Sequence, residues 1–305
     1  MTTSRDGIPY RTLGHTGEAV SIAGLGGWHI GVQETEQESI ALIRTALDNG
    51  INFMDNSWDY NEGVSEIRMG KALKDGYRDK AFLMTKIDGQ TRKSANEQLD
   101  ECFSRLDVDM IDLVQFHEIV RLEDPDRVFA PGGAIEALLE AKKTGKIRYI
   151  GFTGHKSPEI HLKMLKAADD YGFLFDTVQM PLSIMDAHYD SFQKLVLPIL
   201  NQKNIGSIAM KTLCGGHIFK CEGVTAEECL HYSMSLPVST VVTGCQDMER
   251  VQQMIAAARS FKPMSQEQVS TLKAKTAGSG VTGDLEPFKT GTDYDATTTN
   301  PHWLG

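Results

Sequence analysis

Asp55 and Tyr60 lie five residues apart, just behind the apolar run INFM (51–54). Lys86 closes AFLMTK (81–86), and His117 closes IDLVQFH (111–117). An acid, a phenol, an amine and an imidazole brought to one place make a proton-transfer centre. A tyrosine hydroxyl, with an ordinary pKa near ~10, is a weak acid at neutral pH. A nearby ammonium favours the phenolate and lowers that value. An aspartate beside the lysine keeps the amine charged and held in place. A histidine in the same pocket can donate to, or orient, a substrate oxygen. Such a group protonates an oxygen while an electron pair reaches the adjacent carbon. That chemistry suits carbonyl reduction by hydride from a nicotinamide.

Something must hold these four residues together, and the chain's alternation supplies it. Two short stretches around 8–12 and 18–22 flank LGHTGEA and predict a hairpin. Eight units follow, each a short apolar run and then a helical pattern. IAGLGG (22–27) precedes about 36–49, INFMD (51–55) about 63–75, and AFLMTK (81–86) about 91–106. IDLVQFH (111–117) precedes about 132–144. IRYIGF (147–152) precedes about 157–170, with Ser157-Pro158 as cap and first position. DTVQM (176–180) precedes about 188–203, GSIAM (206–210) about 225–235, and STVVTG (239–244) about 247–260. Apolar, non-alternating runs suit strands covered on both faces. Eight strand–helix units predict a single-domain (β/α)8 TIM barrel, whose chemistry gathers at the C-terminal strand ends. The barrel is expected over about 18–260. A C-terminal helix and tail fill about 264–305, with 281–305 extended and docked by Trp303 and Leu304.

The 305 residues carry 41 acidic against 31 basic side chains, a net −10. An acidic chain without basic runs argues against a general nucleic-acid or anionic-membrane surface. No apolar stretch approaches the ~18 residues of a membrane helix. The opening MTTSRDGIPYRTLG lacks the apolar core of a secretory signal, which points to the cytoplasm. The five cysteines are odd in number and form no CxxC, so neither a disulfide framework nor a zinc ribbon is expected. His217 and Cys221 are spaced i,i+4, with Cys229 beyond; they read as ordinary residues of a reducing compartment, and no metal site is expected.

The motifs resemble those of the aldo-keto reductase superfamily over about residues 9–260. YRTLGHTGEAVSIAGLGGW (10–28) is similar to the family's opening signature, and NFMDNSWDYNEGVSEIRMGKAL (52–73) to its Asp/Tyr segment. LMTK (83–86), DMIDLVQFH (109–117) and GKIRYIGFTGH (145–155) resemble the third, fourth and fifth units. The resemblance implies Tyr60 as general acid, Lys86 and Asp55 as its tuning pair, and His117 as orienter. Gly27 and Trp28 match the first-strand loop that meets cofactor and substrate, with Asp55 beside it. Gln179 matches the residue that holds the nicotinamide carboxamide. Thr153 and Gly154 stand where the family usually has Ser-Asn, and His155 is then a candidate for the missing amide. Met210 falls where the family stacks an aromatic on the nicotinamide; a polarisable thioether can pack there.

At the phosphate end, KTLCGG (211–216) offers Lys211, Leu213 and Gly215 after strand seven. GCQDMER (244–250) brings Gly244, Gln246 and Arg250 after strand eight, where it opens a helix that favours an anion. Arg250 matches the family arginine on the 2′-phosphate, whereas Gly244 stands where many relatives have Lys and Met254 where they have Asn. NADP is therefore favoured over NAD.

The expectation is a cytoplasmic NADP-dependent enzyme reducing an aldehyde or ketone. Trp28, Trp58, Tyr60 and His117 would wall the substrate pocket. The alternative within the superfamily is a slow-turnover, NADP-binding redox-sensing or regulatory subunit; a non-redox barrel enzyme is a third. The substrate's identity and the oligomeric state are not legible. The loop 118–131 and the tail are the expected specificity elements.

Overall fold

The computed structural model describes residues 3–305. Strands β1 (Thr3–Arg5), β2 (Ile8–Thr12) and β3 (Ala19–Ser21) form a small antiparallel sheet in that order. Eight further strands close a parallel barrel. They are β4 (Ala23–Gly26), β5 (Phe53–Asp55), β6 (Phe82–Ile87), β7 (Ile111–Phe116), β8 (Ile147–Thr153), β9 (Thr177–Pro181), β10 (Gly206–Met210) and β11 (Thr240–Gly244), and β11 pairs with β4 to complete the ring. The expected eight-unit barrel with an N-terminal hairpin is what the chain forms. The hairpin has one strand more than expected.

Strand periodicity decides which side chains look inward. Alternate residues point to opposite faces. Leu25, Met54, Leu83, Val114, Ile150 and Val241 pack outward in one cluster with the helices. Phe53, Phe82, Met84, Leu113, Ile208 and Val242 fill the barrel, and Leu13 and Val20 plug its N-terminal end. Stepping by two from the inner layer gives Phe53 to Asp55, Met84 to Lys86, and Leu113 through Gln115 to His117. The inner rows therefore run from apolar side chains at the bottom to polar ones at the top. Register completes the placement: Asp55 lies opposite Met84, Lys86 opposite Gln115, and Thr153 opposite Gln179.

The helices start where their caps say. Thr35 with Glu38 and Thr225 with Glu228 form capping boxes, and the Ser157 hydroxyl accepts from the Glu159 N–H ahead of Pro158. The helix expected over 188–203 is instead two pieces, Phe192–Leu195 and Leu197–Gln202. Pro198 has no N–H to continue the first piece. After the helix Gln266–Gly280 the tail is not extended as expected: it docks, with Leu304 buried, as short helical turns at Pro287–Thr290, Ala296–Thr299 and Pro301–Leu304, two of them opened by a proline. Among the described residues no helix is long and apolar enough to cross a membrane.

Candidate active site

Lys86 is the centre of the constellation. Its ammonium donates to Asp55 Oδ1 at 2.6 Å, to the Asn56 carbonyl at 2.7 Å and to the Tyr60 hydroxyl at 3.1 Å. All three N–H groups are used, so the amine is fixed as well as charged. The side chains of Lys86 and Asp55 are only 1% and 3% exposed, so neither charge is tolerable without the other. The Gln179 amide donates to the second oxygen of Asp55 at 2.7 Å. A turn aims the phenol: Asn61 and Glu62, directly after Tyr60, take left-handed φ of 52° and 56°. Burial, then the charges of Asp55, Asp59, Glu118 and Asp88, push the Tyr60 hydroxyl well above its ordinary range. Lys86 does not leave a phenolate here. The hydroxyl stays protonated at neutral pH, as a donor must.

His117 stands edge-on to Tyr60, with ring centroids 5.8 Å apart. Its Nδ1 meets Asp88 Oδ1 at 3.0 Å, Ser57 Oγ at 3.2 Å and Asp59 Oδ1 at 3.3 Å. Burial opposes charge on the ring, but Asp59 and Asp88 outweigh it and raise the imidazole to about 10. Asp88 is itself pushed up to about 6, first by burial. Burial also works against the charge on Asp59, yet His117 holds that carboxyl below its ordinary value. The Asp88 loop is tied down by Gln98, whose amide oxygen accepts from the Asp88 and Gly89 N–H groups at 2.8 and 2.7 Å.

Of the residues expected to meet a nicotinamide, Gln179 reaches this basin through Asp55. Gln179 Oε1 is buried and lacks a partner, so it can accept from a carboxamide N–H. Gly27 admits no side chain: a Cβ there would stand 2.3 Å from the Asp55 carbonyl. Gly154 is equally constrained, since its Cβ would meet the Ile119 carbonyl at 2.3 Å. No side chain has room there. His155 does not simply supply the missing amide, because its Nε2 is engaged by Asp295 Oδ1 of the tail at 2.9 Å. The Thr153 hydroxyl lies 3.9 Å from Met210 Sδ. Beyond β10, Lys211 and Cys214 have φ of 57° and 51°, and Gly215 and Gly216 follow at 65° and 91°. This left-handed loop leaves Gly215 and Gly216 exposed. Gln246 and Arg250 lie exposed after β11, and Asp247 caps the helix Met248–Ser260 through the Arg250 N–H at 2.8 Å.

The aldo/keto reductase family model matches residues 23–225, from β4 into the loop before the helix Ala226–Ser235. The chain belongs to that family. The aldo-keto reductase YhdN of Bacillus subtilis is 31% identical over 224 residues, covering 68% of this chain and 63% of that protein. L-galactose dehydrogenase of Arabidopsis thaliana is 27% identical over 315 residues, covering 88% and 94%. The match spans just under two thirds of YhdN and nearly all of the plant enzyme. An aldo-keto reductase of Bacillus halodurans, solved in its holo form, shares the fold with a TM-score of 0.73 at 22% identity, covering 88% and 96%.

In this member of the aldo/keto reductase family several site residues escape a reading of the sequence. Asp59 and Asp88 meet only because three consecutive strand ends converge. The tail also reaches the rim: Glu118 accepts from the Ala296 and Thr297 N–H groups at 3.0 and 2.8 Å, and Asp295 pairs with His155 and Lys156. Lys211, pushed down to about 8 chiefly by burial, lies 4.5 Å from the Tyr294 ring centre. Trp58 leans outward, its N–H on Glu101 at 2.9 Å and its ring edge-on to Trp303. Trp28 stands half exposed at the rim. Among the described residues, His217, Cys221 and Cys229 do not converge as a ligand set, and all five cysteines are free and buried.

Proposed function

We propose that the protein is an NADP-dependent reductase of aldehydes or ketones, with Tyr60 as the general acid. The observation that carries this reading is the Lys86 ammonium bound at once to Asp55, Asn56 and Tyr60. The lysine fixes the phenol's position while burial keeps its proton in place. The substrate oxygen would lie between the Tyr60 hydroxyl and the imidazole of His117. Gln179, Thr153 and the backbone at Gly27 would hold the nicotinamide, the loop 211–216 the diphosphate, and Arg250 the 2′-phosphate. When bound, the cofactor supplies the hydride. The chain's own groups orient the carbonyl, exclude water and deliver a proton to its oxygen.

The plant relative's name adds a substrate class. Its match over 94% of that protein makes aldoses and their lactol forms candidates beside simple carbonyls. The test is spectrophotometric turnover of NADPH with aldehydes, ketones, quinones and aldoses, and of NADP⁺ with L-galactose. Sustained turnover on any of these supports the enzyme. Tight cofactor binding with a single slow turnover supports a regulatory role instead. Failure to bind either nicotinamide overturns both.

A further inference from the structure

Nδ1 of His117 faces three acceptors and no donor. Asp88 Oδ1 lies at 3.0 Å, Asp59 Oδ1 at 3.3 Å and Ser57 Oγ at 3.2 Å. The serine's proton is already given to Asp59 Oδ1, at 2.5 Å, so only its lone pairs remain for the ring. Nδ1 must therefore carry hydrogen. One neutral imidazole and two carboxylates would leave two negative charges in a pocket where Asp88 is fully buried and Asp59 is 10% exposed. A second proton on the ring relieves that, and Nε2, which has no partner in the described chain, is the place for it.

We propose that Asp59 and Asp88 act as positioning residues that keep His117 an imidazolium through the working pH range, so that a cationic Nε2–H faces the substrate oxygen. The inference rests on the carbonyl-reductase reading for its substrate but not for its chemistry. The two carboxylates come from separate elements, Asp59 just ahead of the Tyr60 turn and Asp88 one residue past β6. Gln98 clamps the second through the Asp88 backbone. The remaining charges of the basin are accounted for: Asp55 is spent on Lys86, Glu118 on the tail's backbone N–H groups, and Lys211 lies against Tyr294. Tyr60, edge-on to the ring, stays neutral. Burial alone would strip the imidazole of its charge, and the carboxylate pair outweighs it. A charge opposite the carbonyl stabilises negative charge as it develops on oxygen, without giving up the proton. Tyr60 then remains the proton's source.

The decisive measurement is the ¹⁵N spectrum of the histidine side chains, with His117 assigned by the signals lost in His117→Gln. Both ring nitrogens should read as protonated, unchanged between pH 6 and 8.5. A ring that titrates near its ordinary ~6.5 overturns the proposal. This needs no substrate, so a chain that reduced no carbonyl but held a doubly protonated His117 would sink the reductase reading and leave the inference standing. Asp59→Asn with Asp88→Asn should bring the His117 titration into the neutral range. Above it kcat should fall by about 10-fold or more, with partial recovery at pH 6, since lost oxyanion donors cost 10²–10³. The same pair placed in His117→Gln should change kcat little further. An unchanged pH profile in the double variant, or an equal loss in the His117→Gln background, would show that the aspartates act on the fold and not through the ring.

Discussion

Gly244 lies directly beneath the imidazole of His29: a Cβ built on Gly244 would stand 2.0 Å from His29 Nδ1. The space a side chain at 244 would need is taken by a residue 215 positions earlier. Gly244→Ala should therefore turn the part-exposed His29 ring aside and lower stability by about 1 kcal/mol or less, below the range for overpacking a closed core. In Gly244→Ala with His29→Ala most of that loss should vanish. Urea unfolding of the four variants measures the coupling; strictly additive losses would mean the two residues do not compete for the same space.

Tyr60→Phe keeps the ring and removes the acid. Carbonyl reduction should fall by roughly 10²–10⁴-fold, the span of general acid catalysis. Cofactor affinity should barely change. A variant retaining more than about half of wild-type kcat, where chemistry is rate-limiting, would rule Tyr60 out as the acid.

Lys86→Met strands the Asp55 carboxylate in a site where it is 3% exposed. Breaking a buried pair from one side costs about 3–5 kcal/mol. Lys86→Met with Asp55→Asn should recover much of that stability but no activity, because the phenol still lacks its donor. Calorimetry of both variants beside the wild type checks this, and equal melting temperatures for single and double variants would contradict it.

Arg250 is exposed, with Glu249 Oε1 at 3.5 Å as its nearest carboxylate. An exposed pair of this kind binds weakly, so the guanidinium is free to take a phosphate. A charge-assisted hydrogen bond is worth ~1.5–3 kcal/mol. Arg250→Ala should weaken NADPH binding by about 10- to 150-fold and leave NADH nearly unchanged. Fluorescence titration of both cofactors at one salt concentration decides the matter. Equal losses, or a wild type that already prefers NADH, would end the NADP assignment.

Lys289 pins the tail, its ammonium meeting Asp186 Oδ1 of the barrel body at 2.8 Å and Glu286 Oε2 of the tail itself at 3.1 Å. Burial first, and Asp186 with it, raise Glu286 to about 7 against the pull of Lys289. The folded state then holds this proton more tightly than the unfolded chain. Stability should fall as pH rises from about 4.5 to 7 and level off above. The difference between wild type and Glu286→Gln in urea unfolding, at pH 5 and pH 8, should show a slope of the order of 1–3 kcal/mol. Parallel curves would mean that Glu286 does not titrate in that window.

Much of this protein is written locally. Apolar runs and helix caps are properties of neighbouring residues, so the eight units, their order and most boundaries are legible, and period two along β5, β6 and β7 already points Asp55, Lys86 and His117 the same way. The broken segment 192–202 is the exception that local chemistry also explains, through Pro198. What the sequence does not show is which polar groups meet once the ring closes. Gln179 on Asp55, His29 on Gly244 and Asp295 on His155 join residues 124, 215 and 140 positions apart. Those pairings depend on strand register and on a tail that returns to the barrel mouth, and no spacing encodes either. The same holds for His117: an imidazole after an apolar run reads as a donor to, or orienter of, a substrate oxygen, with no charge state assigned. Only the convergence of three strand ends puts two carboxylates on one ring nitrogen.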